Sequence, residues 1–208
     1  MLNKALIGLS ALVLACSVAQ ARMPLPLLEQ APSGSSSAST PQLFEVVVVS
    51  VLDGDTIRVD ALSTDVRLAS IDAPETAKHS RGKVGQPFSQ AATAHLNHLI
   101  GKPPRNAQLK CYERDSYKRF VCDLFVRDVN IGHQMVADGY SWANTSYGGR
   151  FLRAPHLLEL QRQARQKRIG LWSDNSQPIE PWVWRKKCWS IGICQSAHED
   201  HQTDKTTR

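Results

Sequence analysis

The chain has 208 residues, with 25 Lys and Arg against 19 Asp and Glu for a formal net charge of +6, and 42% of it is hydrophobic. That length suits one folded domain with extensions rather than two full domains, and that apolar fraction excludes a chain disordered throughout. The surplus of cations suits a polyanionic partner, nucleic acid or anionic lipid, and says nothing about chemistry.

The chain opens "MLNKALIGLSALVLACSVAQAR", which reads as an export signal over 1–21. Lys4 supplies the positive start, 5–19 form an apolar run too short for a comfortable membrane span, and "AQA" offers small residues for cleavage before Arg22. "VLAC" permits a second reading, a lipobox in which Cys16 is lipidated and anchors the protein to a membrane, although Leu14 fits that pattern poorly. Both readings take the protein out of the cytoplasm, to the periplasm or beyond. Residues 22–42, with "APSGSSSASTPQ", read as a flexible Ser/Pro-rich linker.

A folded domain is expected over 43–173. "LFEVVVVSVLD" is a β-branched run of strand length, and "DTIRVDAL" and "DVRLASID" alternate on either side of "STD", so a three-stranded meander is predicted. In "PFSQAATAHLNHLIG" the period changes: Phe88, Ala92, Leu96 and Leu99 share a helical face, and Gly101 ends it. "AQLKCYERDSYKRFVCDLFV" returns to two strands around a polar turn at Asp115 to Lys118. "NIGHQMVADGY" predicts a short helix ending at Gly139. "APHLLELQRQARQKRIGLW" predicts a last helix, with Pro155 near its first position and Gly170 at its end. The order fits an α+β chain, a five-stranded Greek-key barrel of the oligonucleotide/oligosaccharide-binding (OB) type with about three helices.

Beyond the domain, 174–208 form a Trp-rich basic extension and a polar tail. "PWVWRKKCW" interleaves Trp182, Trp184 and Trp189 with Arg185, Lys186 and Lys187, a composition for stacking on bases, although packing of the tryptophans onto the barrel is the favoured reading. "HLNH" at His95 and His98 has metal-like spacing without evident partner ligands, "HEDH" at 198–201 falls in a polar tail open to adventitious metal binding, and "RQARQKR" reads as a solvated helix face, with a phosphate-tracking patch the alternative. Besides Cys16 there are Cys111, Cys122, Cys188 and Cys194. An even number in an exported chain favours disulfides, and of the three possible pairings Cys111–Cys122, bracketing a hairpin, and Cys188–Cys194, closing a short loop, are preferred.

The chemistry concentrates in "VLDGDTIRVD" and "VRLASIDAPE", which gather Asp53, Asp55, Asp72 and Glu75 into a short span. Like charges so close repel, and water, hydrogen bonds or a cation must offset that cost; a cation is the reading favoured here. If the strands pair as a hairpin, Asp55 at the start of one meets Asp72 at the end of the next, and two carboxylates with a backbone carbonyl make a hard-oxygen site suited to Ca²⁺. The spacing does not fit an EF-hand loop. Arg67, Arg119 on the predicted hairpin, and Glu75 just past Pro74 then add two guanidiniums and a free carboxylate, a set suited to attack on a phosphodiester.

"DGDT", "RLASIDAPE", "DSYKR" and "IGLWS" together resemble, in order and spacing, the staphylococcal nuclease-like (thermonuclease) family, over about 43–173. The resemblance implies an exported Ca²⁺-dependent nuclease acting on DNA and RNA and leaving 3′-phosphate ends. It implies Asp55, Asp72 and the carbonyl of Ala73 as Ca²⁺ ligands with Asp53 behind them, Glu75 as general base, and Arg67 and Arg119 as the phosphate-holding arginines. Tyr117 and Tyr147 match nucleotide-contacting tyrosines. Lys118 stands where the family usually has glycine and could add a phosphate contact, Ala73 stands for a threonine, and Thr145 stands near a family tyrosine. Two other classes compete: a non-catalytic OB barrel that binds single strands, and a lipid-anchored basic surface protein dependent on Cys16. No protein partner is implied.

Overall fold

In β1 (Gln42–Asp53) Val46 and Val48 are buried while Val47 and Val49 between them are exposed, the alternation of a strand with one face on a core. The computed structural model describes residues 40–102, 104–173 and 178–194. The expected export signal with Cys16, most of the linker and the tail containing 198–201 lie outside the described residues.

β1 pairs antiparallel with β2 (Thr56–Val59), and β2 with β3 (Val66–Leu68). On its other side β1 pairs with β5 (Asn106–Arg114), which pairs with β6 (Phe120–Val126). A parallel pairing of β3 with β6, Arg67 opposite Val121, closes the ring. The result is a closed five-stranded barrel of the OB type with helices around it. Its interior is filled by Ile57, Val66, Leu68, Leu109 and Leu124, each essentially inaccessible. Cys111 and Cys122 sit opposite each other across the β5–β6 hairpin and are joined by a disulfide.

The predicted third strand, 65–72, is two strands. Ser70 has φ 65°, a left-handed conformation that ends β3 and redirects the chain. β4 (Ile71–Asp72) leaves the barrel to pair with β8 (Trp142–Ala143), setting Asp72 opposite Trp142. β7 (Val129–Asn130) extends the edge beyond β6.

α1 (Ser89–Ile100) buries Ala92, Leu96 and Ile100 against the barrel. Phe88, expected on the same face, instead precedes the helix with φ 65° and packs on a separate cluster of Trp142, Ala164, Leu171 and Trp172. α2 (Ile131–Ala137) starts at Asn130, whose side chain accepts from the His133 amide at 3.1 Å. α3 (Ser146–Gly149) is one turn, and α4 (Leu157–Lys167) lies against α2. Among the described residues no helix is long and apolar enough to cross a membrane.

The C-terminal segment returns to the barrel as a strap: α5 (Pro181–Trp184) runs into a π-helical turn, Arg185–Ser190, and a disulfide joins Cys188 to Cys194. Trp184 is buried and Trp182 packs on the Trp142 cluster, so these two rings serve packing. His95, weighed above as a metal ligand, pairs with Asp138 at 2.7 Å and stacks on Tyr140.

One glycine decides how the β1–β2 turn meets the rest. A Cβ at Gly54 would stand 2.7 Å from the Cβ of Ala73 and 2.9 Å from that of Ala92, so only glycine lets the turn touch both the segment after β4 and helix α1. Gly54→Ala is expected to destabilise the protein by about 1–3 kcal/mol, read as a lower urea midpoint. An unchanged midpoint would show that the two alanines yield.

Candidate active site

Closing the barrel brings the ends of β1, β3 and β4 to one mouth. The pairing of Asp53 with Thr56, after a register shift, turns the chain so that Asp55 follows at the start of β2. The Asp55 carbonyl accepts from the Leu68 amide at 2.8 Å, tying that turn to β3. Its carboxylate accepts from the Ala73 amide at 2.7 Å through Oδ2 and from the Thr56 hydroxyl at 3.1 Å through Oδ1. Asp55 and Asp72, distant in sequence and both buried, are thus held on adjoining backbone segments.

Arg67 lies between them. Val66 and Leu68 face the core, so Arg67 projects from the opposite side of β3 into the mouth. Its Nη1 is 2.9 Å from Asp55 Oδ2 and its Nη2 2.7 Å from Asp72 Oδ1. Burial opposes a charge on Arg67, but Asp55, Asp72 and Asp53 outweigh it and raise the guanidinium pKa. Asp53 shows the repulsion in the cluster: burial first, then the charge of Asp55, pushes its pKa up to about 7.

Glu75 follows on irregular backbone, its side chain 14% exposed. Gln86 holds that backbone from both sides: its side-chain oxygen accepts from the Glu75 amide at 3.2 Å, and its amide donates to the Glu75 carbonyl at 2.7 Å. Burial raises the Glu75 pKa, and Arg185 works against that rise.

Arg119 reaches the mouth from the β5–β6 hairpin, whose turn Asp115 organises. Asp115 Oδ1 accepts from the Tyr117 and Arg119 amides at 2.9 and 3.0 Å, while Oδ2 accepts from Arg119 Nε at 2.8 Å. Lys118 has φ 66°, the left-handed conformation that suits the glycine of the family pattern. Its exposed side chain is not among those lining the cleft.

These groups line a cleft of about 830 Å³ that contains Asp53, Asp55, Arg67, Asp72, Ala73, Glu75 and Arg119 together. Tyr117 and Tyr147 stand on it, 77% and 80% exposed. Tyr147 holds φ 51°, a strained conformation of the kind that persists where the surroundings impose it.

Three residues of this arrangement were not anticipated: Gln86, Asp115 and Arg185. Arg185 Nη2 donates to Asp72 Oδ2 at 2.8 Å and Nη1 to Asp72 Oδ1 at 3.2 Å, and Nη1 also donates to Glu75. Sequence reasoning placed it with Lys186 and Lys187 as a candidate base-stacking cation. A glutamine two residues before the predicted helix α1 and an aspartate opening the "DSYKR" turn were the available signals for the other two.

Among the described residues, no three His, Cys, Asp or Glu side chains are grouped to hold a metal ion by themselves. The oxygen set is smaller: two aspartates and the backbone around Ala73. It still fits a cation, because both carboxylates converge on one positive group, the Arg67 guanidinium, which stands in for it here.

Comparison with known proteins agrees with this architecture. The family described as Staphylococcal nuclease homologue matches residues 65–174, and the chain belongs to that family. It is 36% identical over 143 residues to an "Uncharacterized endonuclease" of Haemophilus influenzae, covering 67% of this chain and 72% of that one. It is also 36% identical over 155 residues to the "Micrococcal nuclease" of Shigella flexneri, covering 69% and 81%, and 34% identical over 153 residues to "Protein ParB" of Escherichia coli, covering 67% and 78%. The protein is a nuclease, a hydrolase of nucleic acid.

Asp115 controls where Arg119 points without lining the cleft itself. Asp115→Ala is expected to lower kcat/KM on plasmid DNA by about tenfold or more, as small misplacements of a positioned group do, with little change in Tm. An undiminished rate would show that the hairpin holds Arg119 by other means.

Proposed function

We propose that the protein is an exported nuclease that hydrolyses DNA and RNA with the help of Ca²⁺ and leaves 3′-phosphate ends. The observation that carries this reading is the meeting of Asp55 and Asp72 on a single positive group with Glu75 beside them. Asp55, Asp72 and the carbonyl of Ala73 would hold the ion, with Asp53 behind them. When bound, a divalent cation there withdraws charge from a phosphate oxygen.

The chain's own residues would do the rest. Glu75, which lies outside the ion's ligand set, takes a proton from water as that water attacks phosphorus. Arg67 and Arg119 present forked donors to the phosphate oxygens as negative charge grows on them, a geometry lysine matches less well. The 5′ oxygen leaves and takes up a proton from solvent. Tyr117 and Tyr147, exposed on the cleft, offer faces for the flanking sugars and bases. Export is supported by the two disulfides, which persist in oxidising compartments.

Glu75→Gln is expected to lower kcat by on the order of 10²–10⁴ while leaving nucleic-acid binding intact. A variant of full rate would remove Glu75 from the reaction. Cleavage of plasmid and of RNA should stop when the ion is chelated and return with added Ca²⁺, with 3′-phosphate product ends. Cleavage that persists in chelator, or 5′-phosphate products, would contradict the reading.

A further inference from the structure

Arg185 comes from outside the family-matched region, 65–174, yet it makes the closest contacts of any strap residue with the candidate ion site. It donates twice to Asp72 and once to Glu75. The strap does not need those bonds to stay in place. Trp184 is buried, the Trp189 indole donates to the Val84 carbonyl at 2.8 Å, the Lys83 ammonium donates to the Trp189 carbonyl, and Gln86 donates to the Ile179 carbonyl. Lys78 lies 5.1 Å over the Trp189 ring, and the Cys188–Cys194 disulfide closes the end of the strap. Arg185 itself is 38% exposed and lines the cleft, so its guanidinium has solvent beside it to move into.

Charge accounting gives this contact its meaning. Of the five carboxylates that line the cleft, Asp65 pairs with Arg58 and the other four, Asp53, Asp55, Asp72 and Glu75, gather at the candidate ion site, where two guanidiniums, Arg67 and Arg185, bond directly to three of them. A dication seated on Asp55 and Asp72 would repel both guanidiniums. Arg67 is fixed on a barrel strand, whereas Arg185 sits on a short turn at the protein's surface. Arg67 would have to release the two aspartates to the ion yet stays on its strand above them, whereas Arg185 can withdraw from the site altogether.

We propose that Arg185 is an affinity-determining residue of the nuclease site: its guanidinium satisfies Asp72 and Glu75, and a divalent cation binds Asp72 in competition with it. The C-terminal strap then sets the Ca²⁺ concentration at which the site loads, and the site holds a cation of its own when the ion is scarce. This rests on the reading of Asp55, Asp72 and Ala73 as the ion site.

The test is calorimetric titration of Ca²⁺ into the wild-type mature protein, Arg185→Gln and Arg185→Lys, with Tm recorded in chelator and in excess Ca²⁺. Arg185→Gln is expected to bind Ca²⁺ about tenfold or more tightly, because a repelling charge is gone. Arg185→Lys keeps the charge and should stay within about threefold of wild type. Calcium should raise Tm more in Arg185→Gln than in wild type, whereas an arginine of purely structural use would lower Tm equally in both conditions. If wild type binds Ca²⁺ and Arg185→Gln binds it no more tightly, the competition is wrong while the ion site stands. If neither protein binds Ca²⁺, the ion site fails and the competition with it.

Discussion

The arrangement depends on the carboxylate of Asp72. It is 1% exposed and accepts from two guanidiniums, Arg67 on the barrel and Arg185 on the strap. A buried anion is tolerated only with such partners, and stripping it of both would leave an uncompensated charge, far costlier than losing a surface pair. The fold supplies the conditions. The left-handed Ser70 takes the chain off the barrel, the β4–β8 pairing sets Asp72 opposite Trp142, and the parallel β3–β6 pairing brings Arg67 to the same mouth. The site is thus a consequence of barrel closure and of the short detour that follows it.

Much of this was legible in the chain. Strand-length β-branched runs marked β1, alternation marked β2 and β3, and the period change at Phe88 marked α1, because each of those signals is local. The barrel followed from the order of strands and helices, and the grouping of Asp55, Asp72, Glu75, Arg67 and Arg119 from motifs read together. What escaped depends on distant partners. A two-residue strand such as β4 has no periodicity to detect, and its pairing with β8 spans most of the domain. Gln86 reads as an ordinary polar residue until its hydrogen bonds to the Glu75 backbone are seen. Arg185 was hidden by its neighbours: among tryptophans and lysines it resembles a nucleic-acid contact, whereas its partners lie more than a hundred residues earlier.

Gly54 illustrates a subtler gap. Its importance in the folded protein is the close approach of two alanines, which no local pattern reveals. Asp115 is similar: the "DSYKR" stretch drew notice to the arginine, while the aspartate that holds the turn together through three bonds is what directs it. In both cases the side chain with the chemistry was recognisable and the group that positions it was not.

The family-matched region begins at residue 65 and ends at 174, yet the cleft draws Asp53 and Asp55 from before it and Arg185 from after it. The cleft is therefore assembled from the barrel's first hairpin, its middle strands and the strap. The measurement that bears most directly on this account is Ca²⁺ binding by Asp72→Asn beside wild type, followed by calorimetry on folded protein. The account predicts that wild type takes up the ion and that the asparagine variant does not. Equal binding by the two would contradict the placement of the ion on Asp72.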